Sequence, residues 1–309
     1  MKIVLSNYPI GKNVLSFAKH LMTYHKENPH ITEYPCPDFK VAIHHHRDVQ
    51  MPHWIWGEWF DFFDMPKLVD KRLWIENKVD WNEGQNHSLD LRHYVLATMN
   101  VKPEILKAHN KIVTIGDTKR DLSKMKKISC HFRRGDAWQS DPSKKWCHKT
   151  QKIFDDKLST ADAFFAWIQQ YDPNEYYLYF ASDSIEHVVK EFLELTKDYT
   201  ITYSAESKNT PKTAGPPDGH LENLCARDKD AAFHAALGGI LDLYNMIGSD
   251  VFIGPTNISA FANCAAHLVS AKSGTTIIDI KAKVDKVRGQ WRHDSHYKNN
   301  FSLAMGTQL

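Results

Sequence analysis

Ile128-Ser129-Cys130-His131-Phe132-Arg133-Arg134-Gly135-Asp136 reads as a short strand that runs straight into a tight, cationic turn. Two adjacent arginines at the carboxyl end of a strand can form a fixed guanidinium pair. Such a pair matches phosphate oxygens bidentately and stays charged at any working pH. In open α/β sheets, ligands collect outside the carboxyl ends of the strands. The stretch therefore points to a site for a phosphorylated or nucleotide ligand. The plainer reading is a surface Arg-Arg-Gly-Asp turn held by salt bridges.

Outward from this stretch, the second half of the chain alternates regularly. Helical spacing covers 160–170, 184–196, 230–246 and 258–269, and strand-like runs cover 176–180, 199–203, 250–253 and 275–280. Strands alternating with helices of this length imply βαβ units and a parallel sheet, so the fold class is α/β. The Ser-, Lys-, Pro- and Gly-rich run 205–220 reads as a mobile surface loop of the kind that acts as a lid. The polar run 117–127 reads as a linker.

The first half opens with a strand at 2–5, a loop at 7–13 and a helix carrying Val14, Phe17, Ala18 and Leu21 on one face. Strand, glycine-containing loop and helix together open a Rossmann-like unit, and the loop ends where backbone N–H groups favour anions. Further elements are a strand at 41–43, a helix from Ser88 to about Met99, a short helix from Pro103 and a strand at 111–115. His44-His45-His46 follows the second strand. Adjacent histidines do not share one face, so a polar loop is the expected reading and a metal site the minor one. Between Met51 and Phe63 lie Trp54, Trp56, Trp59, Phe60, Phe62 and Phe63, interleaved with Glu58 and Asp61. Such aromatic density serves either core packing or a wall on which sugar rings stack while carboxylates take their hydroxyls.

Composition excludes several classes. The 39 Lys and Arg against 37 Asp and Glu leave a net charge of +2, which argues against an electrostatic nucleic-acid binder. Five scattered cysteines without a C-x-x-C spacing give neither a disulfide framework nor a zinc signature, and suggest a reducing compartment. Only Ile3-Val4-Leu5 precede polar residues at the N-terminus, and no run of about 18 apolar residues occurs. The expectation is a soluble, cytoplasmic protein with no transmembrane segment.

Three features of the second half fall at the carboxyl ends of expected strands: His131 to Asp136, Ala181-Ser182-Asp183, and Gly254 to Ser259. In a parallel sheet these ends share one edge, so the three loops are placed to converge on one ligand. The plainer readings are a capping box from Asp183 and Glu186, an N-cap from Asn257, and a solvent-facing Asp242 within an apolar helix.

At these positions the sequence resembles the fucosyltransferase superfamily that includes α1,2-, α1,6- and protein O-fucosyltransferases. His131-Phe132-Arg133-Arg134-Gly135-Asp136 resembles its H-x-R-R-x-D motif. Ile10-Gly11-Lys12-Asn13-Val14 resembles its N-terminal Gly-Leu-Gly-Asn loop, with Lys12 in place of the second glycine. Tyr179 to Asp183, and Asp242 through Gly254 and Ser259 to Ala262, resemble its second and third motifs. The resemblance covers most of 128–280 and, in the first half, only the first loop.

The resemblance implies a GT-B glycosyltransferase, two Rossmann-like α/β domains facing a cleft, with an acceptor-side domain at 1–125 and a nucleotide-sugar domain at 126–309. It implies inverting transfer of fucose from GDP-fucose to a glycan hydroxyl, with no metal and no cofactor beyond the donor. Carried over by position, Arg133 contacts the β-phosphate, Arg134 supports that loop, and His131 and Asp242 lie near guanine and ribose. Gly11, Lys12, Asn13, Asp183, Asn257, Ser259 and Phe261 complete the donor site. An inverting transfer also needs a carboxylate at the acceptor hydroxyl. Asp136 is the candidate base, with Glu58, Asp61 and Asp64 as alternatives, and Trp54, Trp56, Glu58 and Asp61 are the candidate acceptor wall. Three other readings stay open: a same-fold enzyme using another nucleotide sugar, a catalytically silent carbohydrate-binding relative, and a metallohydrolase built on His44 to Asp48.

Overall fold

The seven residues Lys126–Phe132 form strand β4, whose last five side chains are all buried. In the computed structural model, residues 2–6, 10–28, 40–44, 62–64, 87–134, 159–209, 229–256, 259–272 and 274–280 are described. The aromatic stretch up to Asp61, residues 135–158, Asn257 and the chain beyond 280 lie outside them.

β4 sits inside a six-stranded sheet of order β3-β6-β5-β4-β7-β8. Its neighbours are β5 (Tyr176–Ser182) and β7 (Val251–Gly254), both parallel to it. β6 (Ile201–Ser204) and β8 (Thr276–Asp279) extend the parallel set on either side. β3 (Ile112–Ile115) closes one edge in antiparallel register, with Ile112 opposite Ser204. A strand buried on both faces favours a near-continuous apolar run, which β5 and β7 supply; β4 is buried as well but alternates Ile128, Cys130 and Phe132 with the polar Ser129 and His131.

Alternate residues of these strands feed two cores. On one face Leu178, Phe180, Val251 and Ile253 join Phe132 beneath α4 (Ala161–Ile168) and α5 (Ile185–Leu195). Phe132 stacks on Phe164 there, centroids 3.8 Å apart. α5 turns Ile185, Val188, Val189 and Phe192 inward, the i, i+3, i+4, i+7 stripe of an amphipathic helix. On the other face Tyr179, Ala181 and Phe252 meet α6 (Lys229–Met246) and α7 (Ala260–Ser270). The N-terminal helix α1 (Ile10–Glu27) and α2 (His87–Thr98) complete that second core through Val14, Phe17, Leu21, Leu91, Tyr94 and Val95. Lys127 closes the C-terminus of α6, donating to the Asn245 and Ile247 carbonyls. A cation there meets the negative end of the helix dipole. The strands β1 (Lys2–Ser6) and β2 (Lys40–His44) pair in parallel as a separate two-stranded sheet. A last short helix, α3 (Pro103–His109), carries Pro at its start, where no backbone donor is lost.

The α/β class expected from the alternation is the observed one. Two local readings change, and core packing, one of the two readings of the aromatic stretch, is met at its end. The first helix begins at Ile10 rather than Val14, directly after Pro9, so Gly11 and Asn13 lie in its first turn and not in a loop. The run expected as a loop from 205 opens with a 3₁₀ turn, Ala205–Asn209, whose Ser207 is buried. Phe62 and Phe63, at the end of the aromatic stretch, belong to the core, with Phe62 stacked on Phe233. No helix among the described residues is long and apolar enough to cross a membrane.

Candidate active site

The strand order reverses at β4. From there the chain steps outward through β5 and β6, then returns to the other side of β4 as β7 and continues to β8. The carboxyl ends of β4 and β7 thus flank a topological switch point, the usual seat of ligands in such sheets. His131 to Arg134 leave β4 here, Gly254 to Thr256 leave β7, and Ser182-Asp183 end the adjacent β5.

The two arginines diverge. Arg133 keeps 30% of its side chain exposed and donates from Nη1 to Asp183 Oδ2. Arg134 turns inward and is 1% exposed. Its guanidinium grips both carboxylate oxygens of Glu191 on α5 and donates from Nε to the Ser159 carbonyl at 3.0 Å. Its backbone N–H donates to Asp183 Oδ1 at 2.9 Å. Asp183 therefore fixes both arginines, one by its side chain and one by its backbone. This replaces the capping-box reading. The N-cap of α5 is Ser184, which makes no side-chain cap bond, and the Asp183 carboxylate before it is engaged by the arginines instead of capping the helix.

His131 points to the α7 face of the sheet. Its ring stacks on Phe261 with centroids 4.5 Å apart, and Nε2 lies 3.4 Å from Ser259 Oγ. Burial pushes its pKa down to about 3; Asp183 opposes that shift and Arg133 adds to it. The imidazole is neutral at any physiological pH. Ser259 caps α7, accepting from the Ala262 N–H at 3.2 Å. Thr256 Oγ1, buried in the preceding turn, has no hydrogen-bond partner among the described residues.

Gly11 brings α1 to the same place. A Cβ there would lie 2.7 Å from Phe261 Cα and 2.9 Å from the Ala260 carbonyl oxygen. Only glycine lets the two helix starts touch backbone to backbone. Gly239 of α6 faces Ile10 and Phe261 from the third side. Two helix N-termini, each a partial positive charge, are thus held side by side at the switch point. Asn13 is buried within the first turn of α1, and the Lys12 side chain lies outside the described residues.

Asp242 does not face solvent, as one reading of its helix allowed. It is buried, and its Oδ1 accepts from the hydroxyls of Tyr179 and Ser207, each at 2.8 Å. Burial raises its pKa to about 7, against the lowering effect of both hydrogen bonds. The folded state then holds a proton that the unfolded chain releases at ordinary carboxylate pH. Its contribution to stability is greatest below about pH 4 and declines as pH rises to about 7. Asp242→Asn is therefore expected to gain on the wild type, by an amount on the order of a few kcal/mol, as pH rises from 5 to 8. Urea titrations at both pH values measure this; a difference that is flat with pH would show that Asp242 is ionised throughout.

The structure thus brings together Gly11, His131, Arg133, Asp183, Ser259 and Phe261, and places Arg134 and Asp242 behind them. Asp136, Asn257, Trp54, Trp56, Glu58 and Asp61 lie outside the described residues, and Asp64 is exposed. Sequence reasoning missed Glu191 and Ser207, the partners of Arg134 and Asp242. A surface hollow of about 400 Å³ lies at the opposite sheet edge, among Phe165, Asp172, Thr196 and Tyr199, and none of the predicted site residues lines it.

No family model and no curated protein matches this sequence. Solved structures similar to it include NodZ alpha-1,6-fucosyltransferase co-crystallised with GDP, at 10% identity and a TM-score of 0.46, covering 87% of this chain and 92% of that one. The same enzyme soaked with GDP-fucose gives 12% identity and a TM-score of 0.45 over 87% and 92%. Fucosyltransferase NodZ from Bradyrhizobium gives 12% and 0.44 over 87% and 93%. Likeness at this distance assigns neither family nor activity.

Proposed function

We propose that this chain is an inverting glycosyltransferase that moves fucose from GDP-fucose to a hydroxyl of a glycan. The observation that carries the reading is the meeting, at one switch point, of His131 to Arg134, the first four residues of the H-x-R-R-x-D stretch, with two helix N-termini. Glycosyl transfer passes through an oxocarbenium-like state while negative charge grows on the departing diphosphate. A guanidinium aimed at that charge stabilises the transition state more than the ground state. Arg133 takes that role, and Asp183 orients it. Arg134 is a positioning residue that holds the turn. The starts of α1 and α7 add backbone N–H groups for the phosphates. His131, uncharged and stacked on Phe261, forms a wall for the nucleoside without competing for the diphosphate. In this reading residues 126–309 carry the donor and 1–125 the acceptor, with β3 bonded into the donor sheet. Asp136 is proposed as the base, and Trp54, Trp56, Glu58 and Asp61 as the acceptor wall. The positive charge at the diphosphate comes from protein groups, so transfer is proposed to proceed without a metal.

One observation favours a second reading. Asp183 already neutralises Arg133. If that pair stays closed beside a diphosphate, the chain binds nucleotide sugars without transferring them.

A thermal-shift panel with GDP, UDP, CDP, dTDP and ADP, with and without EDTA, followed by turnover of GDP-fucose, separates these readings. A ligand at 100-fold over its dissociation constant stabilises the native state by about 2.7 kcal/mol. The expected result is a shift with GDP alone that is the same size in EDTA, and GDP release once a glycan acceptor is supplied. GDP binding without turnover across an acceptor screen supports the silent reading. A shift with a different nucleotide keeps the glycosyltransferase and replaces the sugar. No shift with any nucleotide overturns the site.

A further inference from the structure

Away from Arg133, a second cluster has no part in the proposed transfer. His109 ends α3, Glu206 lies in the 3₁₀ turn after β6, and His234 sits in the second turn of α6. Glu206 lies between the two imidazoles. Its Oε1 is 3.2 Å from His109 Nδ1, and its Oε2 is 3.2 Å from His234 Nδ1. The two rings are 5.9 Å apart at 67°. One ligand atom from each residue falls within 4.8 Å of the other two.

We propose that His109, Glu206 and His234 form a binding site for a divalent transition-metal ion of the zinc type. Two imidazoles and one carboxylate are a donor set that suits zinc, with bonds of about 2.0–2.1 Å; tetrahedral geometry then sets neighbouring ligand atoms about 3.3–3.4 Å apart. Each histidine–carboxylate spacing already has nearly that value, but the two run to different oxygens of Glu206, so a zinc ion is held either through both oxygens or through one after the carboxylate turns. The imidazole–imidazole spacing closes by a rotation of His234, the more exposed ring at 42% against 28% for His109. Three protein ligands leave a fourth position for water, and the part-buried setting gives that water access.

The surrounding framework holds the ligands in place. A Cβ at Gly238 would lie 2.9 Å from the Glu206 carbonyl oxygen, so glycine there lets the turn lie directly on α6. His234, Gly238 and Asp242 recur at intervals of four along α6 and share one face. That face meets the Glu206 side chain, then its backbone, then the Ser207 hydroxyl. From the other side the Ala205 N–H donates to the Lys111 carbonyl at 2.8 Å, which anchors the turn beside the end of α3. The metal would tie together three segments that are distant in sequence.

A carboxylate that merely accepts from two imidazoles would show the same distances, and only the response to metal separates the two. The cluster lies beyond the end of β6, with β5 between it and β4, and does not depend on the proposed transferase activity.

Calorimetric titration of the chelator-stripped full chain with zinc sulfate is the test. The expected result is one equivalent bound by the wild type. His234→Gln and Glu206→Gln, each confirmed as folded by circular dichroism, should bind at least about a hundredfold more weakly, since even outer-sphere partners of a metal ligand are worth about 10- to 100-fold. Zinc should also raise the Tm of the wild type and not that of either variant. Replacing His44, His45 and His46 together by alanine should leave the equivalent intact. Binding weaker than about 0.1 mM in the wild type, unchanged binding in the folded His234 or Glu206 variants, or loss confined to the His44–His46 variant would overturn the assignment.

Discussion

Arg133→Ala is expected to lower the proposed fucosyl transfer by about two to three decades, the usual cost of losing a preorganised donor to developing negative charge. The fold should persist. Arg133 is the more exposed of the two arginines, and its carboxylate partner Asp183 still accepts from the Arg134 N–H when the guanidinium is gone. The loss should fall on kcat with saturating donor more than on GDP affinity, because the interaction grows as the diphosphate departs. Steady-state rates of wild type and variant, beside a Tm measurement for each, check this. Normal turnover in a folded Arg133→Ala protein would remove Arg133 from the chemistry.

Arg134→Ala should show the opposite signature. This guanidinium is buried, and it is the common partner of Glu191 and the Ser159 carbonyl. Removing it leaves a void and strands the carbonyl. Glu191 is 40% exposed and can rehydrate, which moderates the penalty. The expected loss is about 2–3 kcal/mol, below the cost of orphaning a fully buried charge. Arg134→Lys should recover less than half of it, because an ammonium cannot grip both carboxylate oxygens in a planar fork. Urea midpoints at constant slope measure both. A change under about 0.5 kcal/mol would place Arg134 among ordinary surface residues.

These two predictions separate residues that are alike in type and adjacent in the chain, and the physical basis of the difference shows how far a sequence can be read. Local periodicity placed β4, β5 and β7 and the helices between them because burial on two faces or one stripe leaves a repeating mark. Convergence of three strand ends also followed, since parallel strands share an edge. What escaped were pairings across long sequence separations. Arg134 meets Glu191 through 57 positions, and Asp242 meets Ser207 through 35; no local pattern announces either. Asp183 looked like half of a capping box because that signature is local, whereas its actual partners sit 49 and 50 residues away. The interval of four that links His234, Gly238 and Asp242 has no meaning in the sequence by itself. Its meaning needed the turn at Ala205–Asn209, which polar composition presented as a lid.

The bond from Arg134 to the Ser159 carbonyl has one further consequence. The described chain leaves off at residue 134 and resumes at residue 159, and a 3.0 Å hydrogen bond from Arg134 Nε to the Ser159 carbonyl joins these two points. Whatever lies between them begins and ends at one stem. The entropy of closing such an excursion grows only with the logarithm of its length, so lengthening it costs the fold little once the stem is held. Arg133 and Arg134 are themselves fixed by Asp183, Glu191 and Ser159, so their positions are set by contacts across the sheet end and not by the length of chain that joins 134 to 159.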